Sequence, residues 1–325
     1  MRETAPADGQ ELAVSVVIPA YNYAHYLREA IDSVLCQTHP HVELIVVNDG
    51  STDNTREVLD SYGERLVAVH QENQGLSATR NNGIRVASHG FVAFLDADDV
   101  WEPDKLACQM ALFASLPKTY GLVACDRGTI DAQGTRHPDA VKFRKAKRSD
   151  REIKATDLLI RSQFTPSSVV ARRECFDTCG FFDSDLRSSE DRDMWIRIAE
   201  KWQLFGAERV LCFARKHGDN MSANALRMKR NTLKVLTASR ARLADRGRGP
   251  FFWRRVFAIA RFQAAWMYYE SGHPLAALRE MLVSWCHCPW LTNPAELDEV
   301  FLFRLRSLRL FAKPCRRPPR DSSAN

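Results

Sequence analysis

Three carboxylates occur within four positions at the end of an apolar run. The length of the run, residues 90–95, and its aromatic and branched side chains predict a buried strand. Asp96, Asp98 and Asp99 follow it directly. Carboxylates crowded at a strand end repel one another and are costly to bury without a counter-charge. Mg²⁺ or Mn²⁺ is the usual counter-charge, because these ions prefer oxygen ligands and commonly bind one or two carboxylates together with substrate phosphates. The alternative is a surface loop in which Asp99 starts a turn and the other two are solvated.

The elements around this cluster favour an α/β fold. Three further apolar, β-branched segments precede it: residues 14–19, 42–47 and 66–70. Segments with a helical period separate them, and this alternation predicts a mostly parallel sheet covered by helices. Ligands of such sheets bind at the carboxyl ends of the strands. Polar clusters at 19–22, 48–51 and 96–99 follow three of the strands, so we expect them to form one site at one edge of the sheet.

The composition fits a globular protein with a mild basic excess. The chain has 325 residues, 45% of them apolar, and 46 Lys and Arg against 40 Asp and Glu, a formal net charge of +6. Residues 142–148 and 304–320 hold much of the excess and could contact phosphates, contact an anionic membrane surface, or simply be solvated. No base-reading motif or aromatic–basic interleaving points to nucleic acid as a partner.

Cysteine usage and apolar runs bear on location. The nine cysteines form no regular framework, which favours reduced thiols in the cytoplasm. Cys286-His287-Cys288 lacks a second ligand pair with zinc spacing and is interpreted as structural. Residues 1–12 contain no signal-peptide core, and no apolar run reaches the length of a membrane span. A soluble protein, or one peripheral at the inner face of the membrane through its basic C-terminal segment, is expected.

Four motifs in order resemble family 2 glycosyltransferases. They are Ser-Val-Val-Ile-Pro-Ala-Tyr-Asn at 15–22, Val-Val-Asn-Asp-Gly-Ser-Thr-Asp at 46–53, Gly-Leu-Ser-Ala-Thr-Arg-Asn at 75–81 and Asp-Ala-Asp-Asp at 96–99. Each alone is weak, but four in order are a strong signal. The resemblance covers about residues 14–222 and implies the GT-A fold, a nucleotide-diphosphate sugar donor, with UDP as the expected nucleotide, and inversion at the anomeric carbon.

The resemblance also suggests a division of the chain. Residues 1–13 are expected to form a disordered tail and residues 14–225 a GT-A domain. Residues 226–325 have a helical period, carry no motif and are expected to be a helical extension with a basic tail. Packing of this extension on the main domain is expected, although its Arg, Trp and Phe content would also suit a membrane surface.

For the donor, the resemblance implies three nucleotide contacts. The loop after the first strand would lie along the nucleotide with Pro19, Ala20 and Tyr21. Asp49 would accept a hydrogen bond from the base, and Arg80 would help to hold the nucleotide. Each has a structural alternative, because Asp49-Gly50 is also a common turn and Arg80 could be a cation on a helix surface.

For the metal, the resemblance points to the Asp-x-Asp motif. Asp96 begins the motif on the donor side, and Asp98 matches the metal-binding aspartate. A divalent ion there would bridge the diphosphate and neutralise the charge that develops on the leaving nucleotide. His217 stands where the family often has a histidine near the metal or diphosphate, although a lone histidine can equally be structural.

Inversion needs a base on the acceptor side, and Asp191 matches the family's catalytic base. An unperturbed Asp titrates near ~3.9, so it would be ionised at neutral pH. Glu190 and Trp195 are candidates on the same side, with packing of Trp195 in the core as the alternative. The alternative is that Glu190 and Asp191 only begin a helix.

Two other functions compete. Leu-Asp-Ala-Asp-Asp-Val at 95–100 also matches a haloacid-dehalogenase-type phosphatase signature with Asp96 as the nucleophile, but the acid expected beyond Gly218-Asp219 is missing. A non-catalytic nucleotide-sugar-binding module would not need both Asp98 and Asp191. No Gly-x-Gly-x-x-Gly follows the first strand, which argues against a dehydrogenase. We therefore predict a metal-dependent inverting glycosyltransferase with a glycan or lipid-linked acceptor. By analogy with the family, we expect it to act in surface polysaccharide or lipopolysaccharide assembly.

Overall fold

The computed structural model describes residues 12–136, 151–162, 164–217, 224–244, 248–289, 307–309 and 311. All structural statements below refer to these residues. Several predicted segments lie wholly or largely outside them: the N-terminal tail, the basic stretch at 142–148, Gly218-Asp219 and the basic segment at 304–320.

The described residues contain a nine-stranded sheet. Its strands are β1 (Val14–Ala20), β2 (Val42–Asp49), β3 (Val67–Gln71), β4 (Phe91–Phe94), β5 (Val100–Trp101), β6 (Tyr120–Ile130), β7 (Arg151–Ile153), β8 (Val169–Arg172) and β9 (Gln203–Arg215). Their order is β3-β2-β1-β4-β8-β6-β9-β5, and β7 pairs with β9. Strands β5, β7 and β8 run antiparallel to their neighbours, and the other described strands share one direction.

Ten α-helices accompany the sheet within the described residues. They are α1 (Ala24–Leu35), α2 (Thr55–Asp60), α3 (Leu76–Val86), α4 (Lys105–Ser115), α5 (Ala155–Ile160), α6 (Arg173–Cys179), α7 (Glu190–Ala199), α8 (Ala225–Arg242), α9 (Pro250–Glu270) and α10 (Pro274–His287). The predicted α/β fold with a mostly parallel sheet is confirmed. Each apolar segment predicted as a strand forms one. In β1 and β4 burial on both faces of the sheet favours a continuous apolar run, whereas β3, at the end of the strand order, is largely exposed.

The core lies on both faces of the sheet. Successive residues of β1 alternate between the two faces, so Val17 belongs to one apolar cluster while Val16 and Ile18 belong to the other. Helix α3 approaches β1 closely through Gly83, where an added Cβ would lie 2.2 Å from Val17 Cγ1. This close approach fixes α3, and with it Arg80, against the sheet.

The C-terminal helices are part of this core. Val235 of α8 and Trp253 of α9 belong to the same buried cluster as Trp195. Helix α10 packs back on α9, where Phe262, Met281 and Phe311 are buried together. The predicted helical character and packing are therefore observed, while the boundary between residues 225 and 226 stays a prediction. No helix in the described ranges is both long and apolar enough to cross a membrane.

Candidate functional site

One cavity of about 1030 Å³ lies at the carboxyl ends of the parallel strands. All four sequence motifs and the Glu190-Asp191 pair contribute to its wall. The predicted site residues that line it are Pro19, Ala20, Tyr21, Asp49, Arg80, Asp96, Asp98, Glu190 and Asp191. They meet because β1, β2 and β4 are parallel neighbours, which brings their carboxyl ends to one edge of the sheet.

The first two motifs are joined by Asn22. This residue has a φ of +57°, a left-handed conformation that Asn tolerates better than most residues. Its backbone N–H donates to Ser51 Oγ at 3.0 Å, and its Oδ1 accepts from the Thr52 N–H at 2.8 Å. The loop is thereby held against the end of β2, and Tyr21, 45% exposed, stands in the cavity wall.

Asp49 is buried at the end of β2 and organises the start of α3. Its Oδ1 accepts hydrogen bonds from Gln71 Nε2 at 2.6 Å and from the Gln74 N–H at 2.8 Å, and its Oδ2 accepts from the Gly75 N–H at 2.9 Å. Gly75 has a φ of +89°, which a residue with a Cβ would adopt only with strain. Oδ2 keeps acceptor capacity for a further donor. The turn at Gly50 and a binding role for Asp49 are thus compatible.

Arg80 is a buried ion-pair centre rather than a helix-surface cation, so that alternative is wrong. Its Nη2 lies 2.6 Å from Asp96 Oδ1, and its Nη1 lies 2.7 Å from Glu190 Oε1. Although burial disfavours the charged form, Asp96 and Glu190 raise the pKa of Arg80 above its ordinary value. The guanidinium therefore holds two carboxylates of the cavity in fixed positions.

Asp98 and Asp99, at the end of the acidic motif, have different surroundings. Asp99 is buried and accepts hydrogen bonds from Ser167 Oγ at 2.6 Å and from the Arg215 N–H at 3.1 Å, which is a structural role. Asp98 faces the cavity, and its Oδ2 lies 2.9 Å from His217 Nε2. Burial and the charge of Asp96 raise the pKa of Asp98, so its ionised form would be stabilised by a positive charge bound beside it.

Asp98 and His217 fit the ligand set of a divalent cation. A carboxylate oxygen and an imidazole nitrogen suit Mn²⁺, and Mg²⁺ sites in nucleotide enzymes commonly use one or two protein groups plus substrate phosphates. In the part of the chain that is described, no three His, Cys, Asp or Glu side chains converge on one point. An ion at this place would therefore need oxygen ligands from a substrate or water in addition to Asp98 and His217.

Asp191 lies in the first turn of α7 and lines the cavity. Its Oδ1 accepts a hydrogen bond from the Arg192 N–H at 2.7 Å. Burial and the neighbouring charge of Glu190 raise the pKa of Asp191 to about 7. The sequence-based expectation of an unperturbed carboxyl was therefore wrong, and a group that titrates near neutrality is better matched to proton transfer.

Trp195 lies in the core. It is 1% exposed, packs against Phe94, Phe164 and Phe182, and does not belong to the cavity wall. The sequence left a position on the acceptor side and packing in the core open for Trp195, and the structure shows packing in the core. Trp195 lies about one helical turn beyond Asp191, and its side chain belongs to the apolar cluster that also contains Phe94 and Phe182.

The C-terminal helices supply a wall of the cavity that no sequence motif indicated. The lining residues are Met228, Lys229 and Thr232 of α8 and Ala260, Gln263, Ala264, Met267 and Glu270 of α9. Arg215 of β9 was also missed. Its buried guanidinium donates to the Asp98 carbonyl at 2.9 Å and pairs with Glu29 at 2.6 Å. The hydrophobic period of α8 and α9 predicts helices but not which face meets the site.

Comparison with known proteins gives a consistent result. The family model described as glycosyl transferase family 2 matches residues 15–180. An uncharacterized glycosyltransferase of Rickettsia prowazekii is 31% identical over 213 residues, which are 66% of this chain and 67% of the relative. A Bacillus subtilis glycosyltransferase whose name assigns it to teichuronic acid biosynthesis is 31% identical over 229 residues, 67% of this chain and 85% of the relative.

Solved structures show the same fold at low sequence identity. A mannosyltransferase of Pyrobaculum calidifontis in complex with GDP-Man and Mn²⁺ has a TM-score of 0.59 and 21% identity, covering 92% of this chain and 84% of that one. Residues 1–349 of TarS from S. aureus in complex with UDP-GlcNAc have a TM-score of 0.56 and 17% identity, covering 89% and 93%. Both likenesses bear on the fold alone.

Proposed function

The chain belongs to glycosyltransferase family 2, and from that premise we propose that it transfers a glycosyl group from a UDP-sugar to an acceptor hydroxyl with inversion at the anomeric carbon. One observation carries the proposal. Residues of four separated motifs and the Glu190-Asp191 pair line a single cavity of about 1030 Å³. This lies at the upper end of the roughly 300–1,000 Å³ typical of ligand pockets, which suits a ligand as large as a nucleotide-sugar.

The donor is proposed to bind at the ends of β1 and β2. Pro19, Ala20 and Tyr21 would lie along the nucleotide, and the remaining acceptor capacity of Asp49 Oδ2 would take a hydrogen bond from the base. Arg80 would support the donor site indirectly, because its guanidinium is already paired with Asp96 in the cavity wall. Relatives in fold that were crystallised with UDP-GlcNAc and with GDP-Man support a nucleotide-sugar donor and leave UDP and GDP to be separated by experiment.

The chemical step is assigned to Asp191. Its carboxylate takes the proton of the acceptor hydroxyl while that oxygen attacks the anomeric carbon. The bond between the anomeric carbon and the diphosphate oxygen breaks, and its electron pair leaves with the nucleoside diphosphate. Attack from the face opposite the leaving group inverts the configuration. A base with a pKa of about 7 is ionised in about half of the molecules at neutral pH and remains basic enough to accept the proton.

Asp98 and His217 are proposed to hold a Mg²⁺ or Mn²⁺ ion together with the donor's diphosphate. When bound, such an ion supplies positive charge that stabilises the departing diphosphate. Asp96 and Glu190 stay paired with Arg80 and keep the negative charge of this region partly compensated.

The cellular setting is proposed by analogy. The likeness to a protein named for teichuronic acid biosynthesis supports a glycan or lipid-linked acceptor in surface polysaccharide assembly. Cytoplasmic location, with contact to the membrane through the basic segment at 304–320, is proposed from the sequence. Flotation with vesicles that contain anionic lipid, compared with neutral vesicles, tests the membrane contact: equal recovery with both would argue against it.

A nucleotide titration tests the donor site. We expect calorimetry with UDP, GDP and dTDP in the presence of Mn²⁺ to show one preferred nucleotide, with loss of affinity on adding a chelator. Incubation with the matching nucleotide-sugars and NMR of the glycoside product then tests inversion. Binding without any transfer would favour the non-catalytic module, and retention of configuration would contradict the assignment of Asp191 as base. Since Asp96 belongs to the matched family region and is paired with Arg80, the phosphatase alternative is not supported.

A further inference from the structure

The segment that leads into Asp191 has an unusual backbone. Ser189 is the residue before α7 and has φ +61° and ψ +16°, a left-handed conformation. This conformation is unfavourable for a residue with a Cβ. Its carbonyl still accepts the first hydrogen bond of the helix, from the Asp193 N–H at 3.1 Å. The backbone of Ser189 therefore sets the direction in which α7 begins.

The side chain of Ser189 does not cap the helix that it precedes. A serine before a helix usually has extended backbone and accepts a hydrogen bond from the second or third helical N–H. Here no such bond is made, and the Ser189 hydroxyl is joined to the hydroxyl of Thr232 on α8 at 3.1 Å. The Ser189 hydroxyl therefore does not cap α7 and instead contacts a residue 43 positions further along the chain.

The preceding residues are also bound to α8. With its amide oxygen oriented toward the donors, Asn231 accepts hydrogen bonds from the backbone N–H groups of Arg187 at 3.3 Å and Ser188 at 3.1 Å. Asn231 and Ser188 are both buried. Asn231 and Thr232, which are adjacent on α8, thus bind the three consecutive residues 187–189. These residues directly precede Glu190.

We propose that α8 positions the base, with Thr232 and Asn231 holding Ser188 and Ser189 so that Asp191 faces the acceptor. The proposal rests on the proposed function to the extent that Asp191 is the base. It gives the C-terminal helices a part in catalysis beyond packing. Thr232 is a positioning residue, since it acts through Ser189, and it also lines the same cavity as Asp191.

The test compares Thr232→Val, which replaces the hydroxyl with a methyl group, with Thr232→Ser, which keeps the hydroxyl. We expect Thr232→Val to lower kcat about tenfold or more, because small displacements of a reacting group are costly, while the affinity for the donor nucleotide stays unchanged. Thr232→Ser is expected to restore most of the loss. Thr237→Val is the matched control, since Thr237 is exposed on the same helix. Wild-type kcat in Thr232→Val would overturn the proposal.

A double-mutant cycle separates positioning from a change in the cavity wall. Ser189→Ala removes the other end of the same hydrogen bond. If the bond carries the effect, the double variant loses little more activity than the worse single variant. Losses that multiply would mean that the two hydroxyls act independently, and would overturn the proposal.

Hydrogen exchange provides a readout that does not depend on transfer. Peptides that span residues 187–193 are expected to exchange faster in Thr232→Val than in wild type or Thr237→Val, with no change in β1 or β2. Unchanged exchange there would overturn the positioning contact. If the wild-type protein transfers no sugar, the proposed function fails, yet this exchange measurement still decides whether α8 holds the segment.

Discussion

Arg80 and Glu190 lie 110 residues apart in the sequence and form a buried ion pair with an Nη1–Oε1 distance of 2.7 Å. The same guanidinium binds Asp96 through Nη2. Through one side chain, α3 is therefore connected to the acidic motif after β4 and to the start of α7. Asp96 and Glu190, which we propose to lie on the donor and acceptor sides, therefore share a single support.

Removing that support is expected to damage stability and activity together. Arg80→Met leaves Glu190 buried without its partner, and breaking such a pair typically costs about 3–5 kcal/mol. Arg80→Lys offers one ammonium in place of a two-pronged guanidinium and should recover only part of the loss. Urea unfolding and kcat measure both effects. Arg56→Met, on an exposed face of α2, is the control; equal stability of the Arg80 and Arg56 variants would contradict the prediction.

The pH dependence of transfer should follow Asp191. Because the base acts when ionised and its pKa is about 7, kcat/KM is expected to rise as the pH increases from 6 to 8. Asp191→Asn should lower kcat by about 10²-fold or more and abolish this rise while it spares nucleotide binding. A pH profile in which wild type and Asp191→Asn rise alike would exclude Asp191 as the titrating group.

Asp191 should also affect stability, with a defined sign. Its pKa is raised on folding, so the folded protein binds more protons than the unfolded chain between about pH 4 and 7, and stability falls as the pH rises through this window. Asp191→Asn removes the partly buried charge and is expected to raise Tm at pH 8 but not at pH 4. A variant that is less stable than wild type at pH 8 would contradict this explanation.

Metal dependence should be lost with Asp98. For wild type, a chelator is expected to lower nucleotide affinity about tenfold or more, since the diphosphate would lose its bridging ion. Asp98→Ala should bind the nucleotide weakly with or without Mn²⁺. Asp60→Ala, an exposed carboxylate on α2, should behave as wild type in the same calorimetric titrations. Nucleotide binding by Asp98→Ala that still responds fully to Mn²⁺ would refute the assignment.

The contact of α3 with β1 gives a prediction that concerns stability alone. A Cβ on Gly83 would lie 2.2 Å from Val17 Cγ1, and such overpacking typically costs about 1–3 kcal/mol. Gly83→Ala should therefore destabilise the protein, and adding Val17→Ala should return part of the loss. Gly90→Ala, where an added Cβ meets nothing within 4 Å, is the matched control. Denaturant unfolding of these three variants and of wild type measures the differences in stability.

Much of the fold could be predicted from the sequence because its signals are local. Runs of Val, Ile and Leu identify β1 and β2, and the alternation of these strands with helices determines a mostly parallel sheet. That arrangement alone brings Asp49 and Asp98 to one edge, since the polar residues follow strands that run in the same direction. The four motifs are also local signals, and their order along the chain identified the family.

The tertiary structure decided what depends on distant contacts. Helical period marked α8 as a helix but could not reveal that Thr232 meets Ser189, because side-chain neighbours across 43 residues depend on how the helices pack. The burial of Arg80 between two carboxylates and of Trp195 in the core has the same origin. Likewise, sequence identified Asp191 as an acid, whereas its raised pKa arises from the burial and the neighbouring charge that the folded chain imposes.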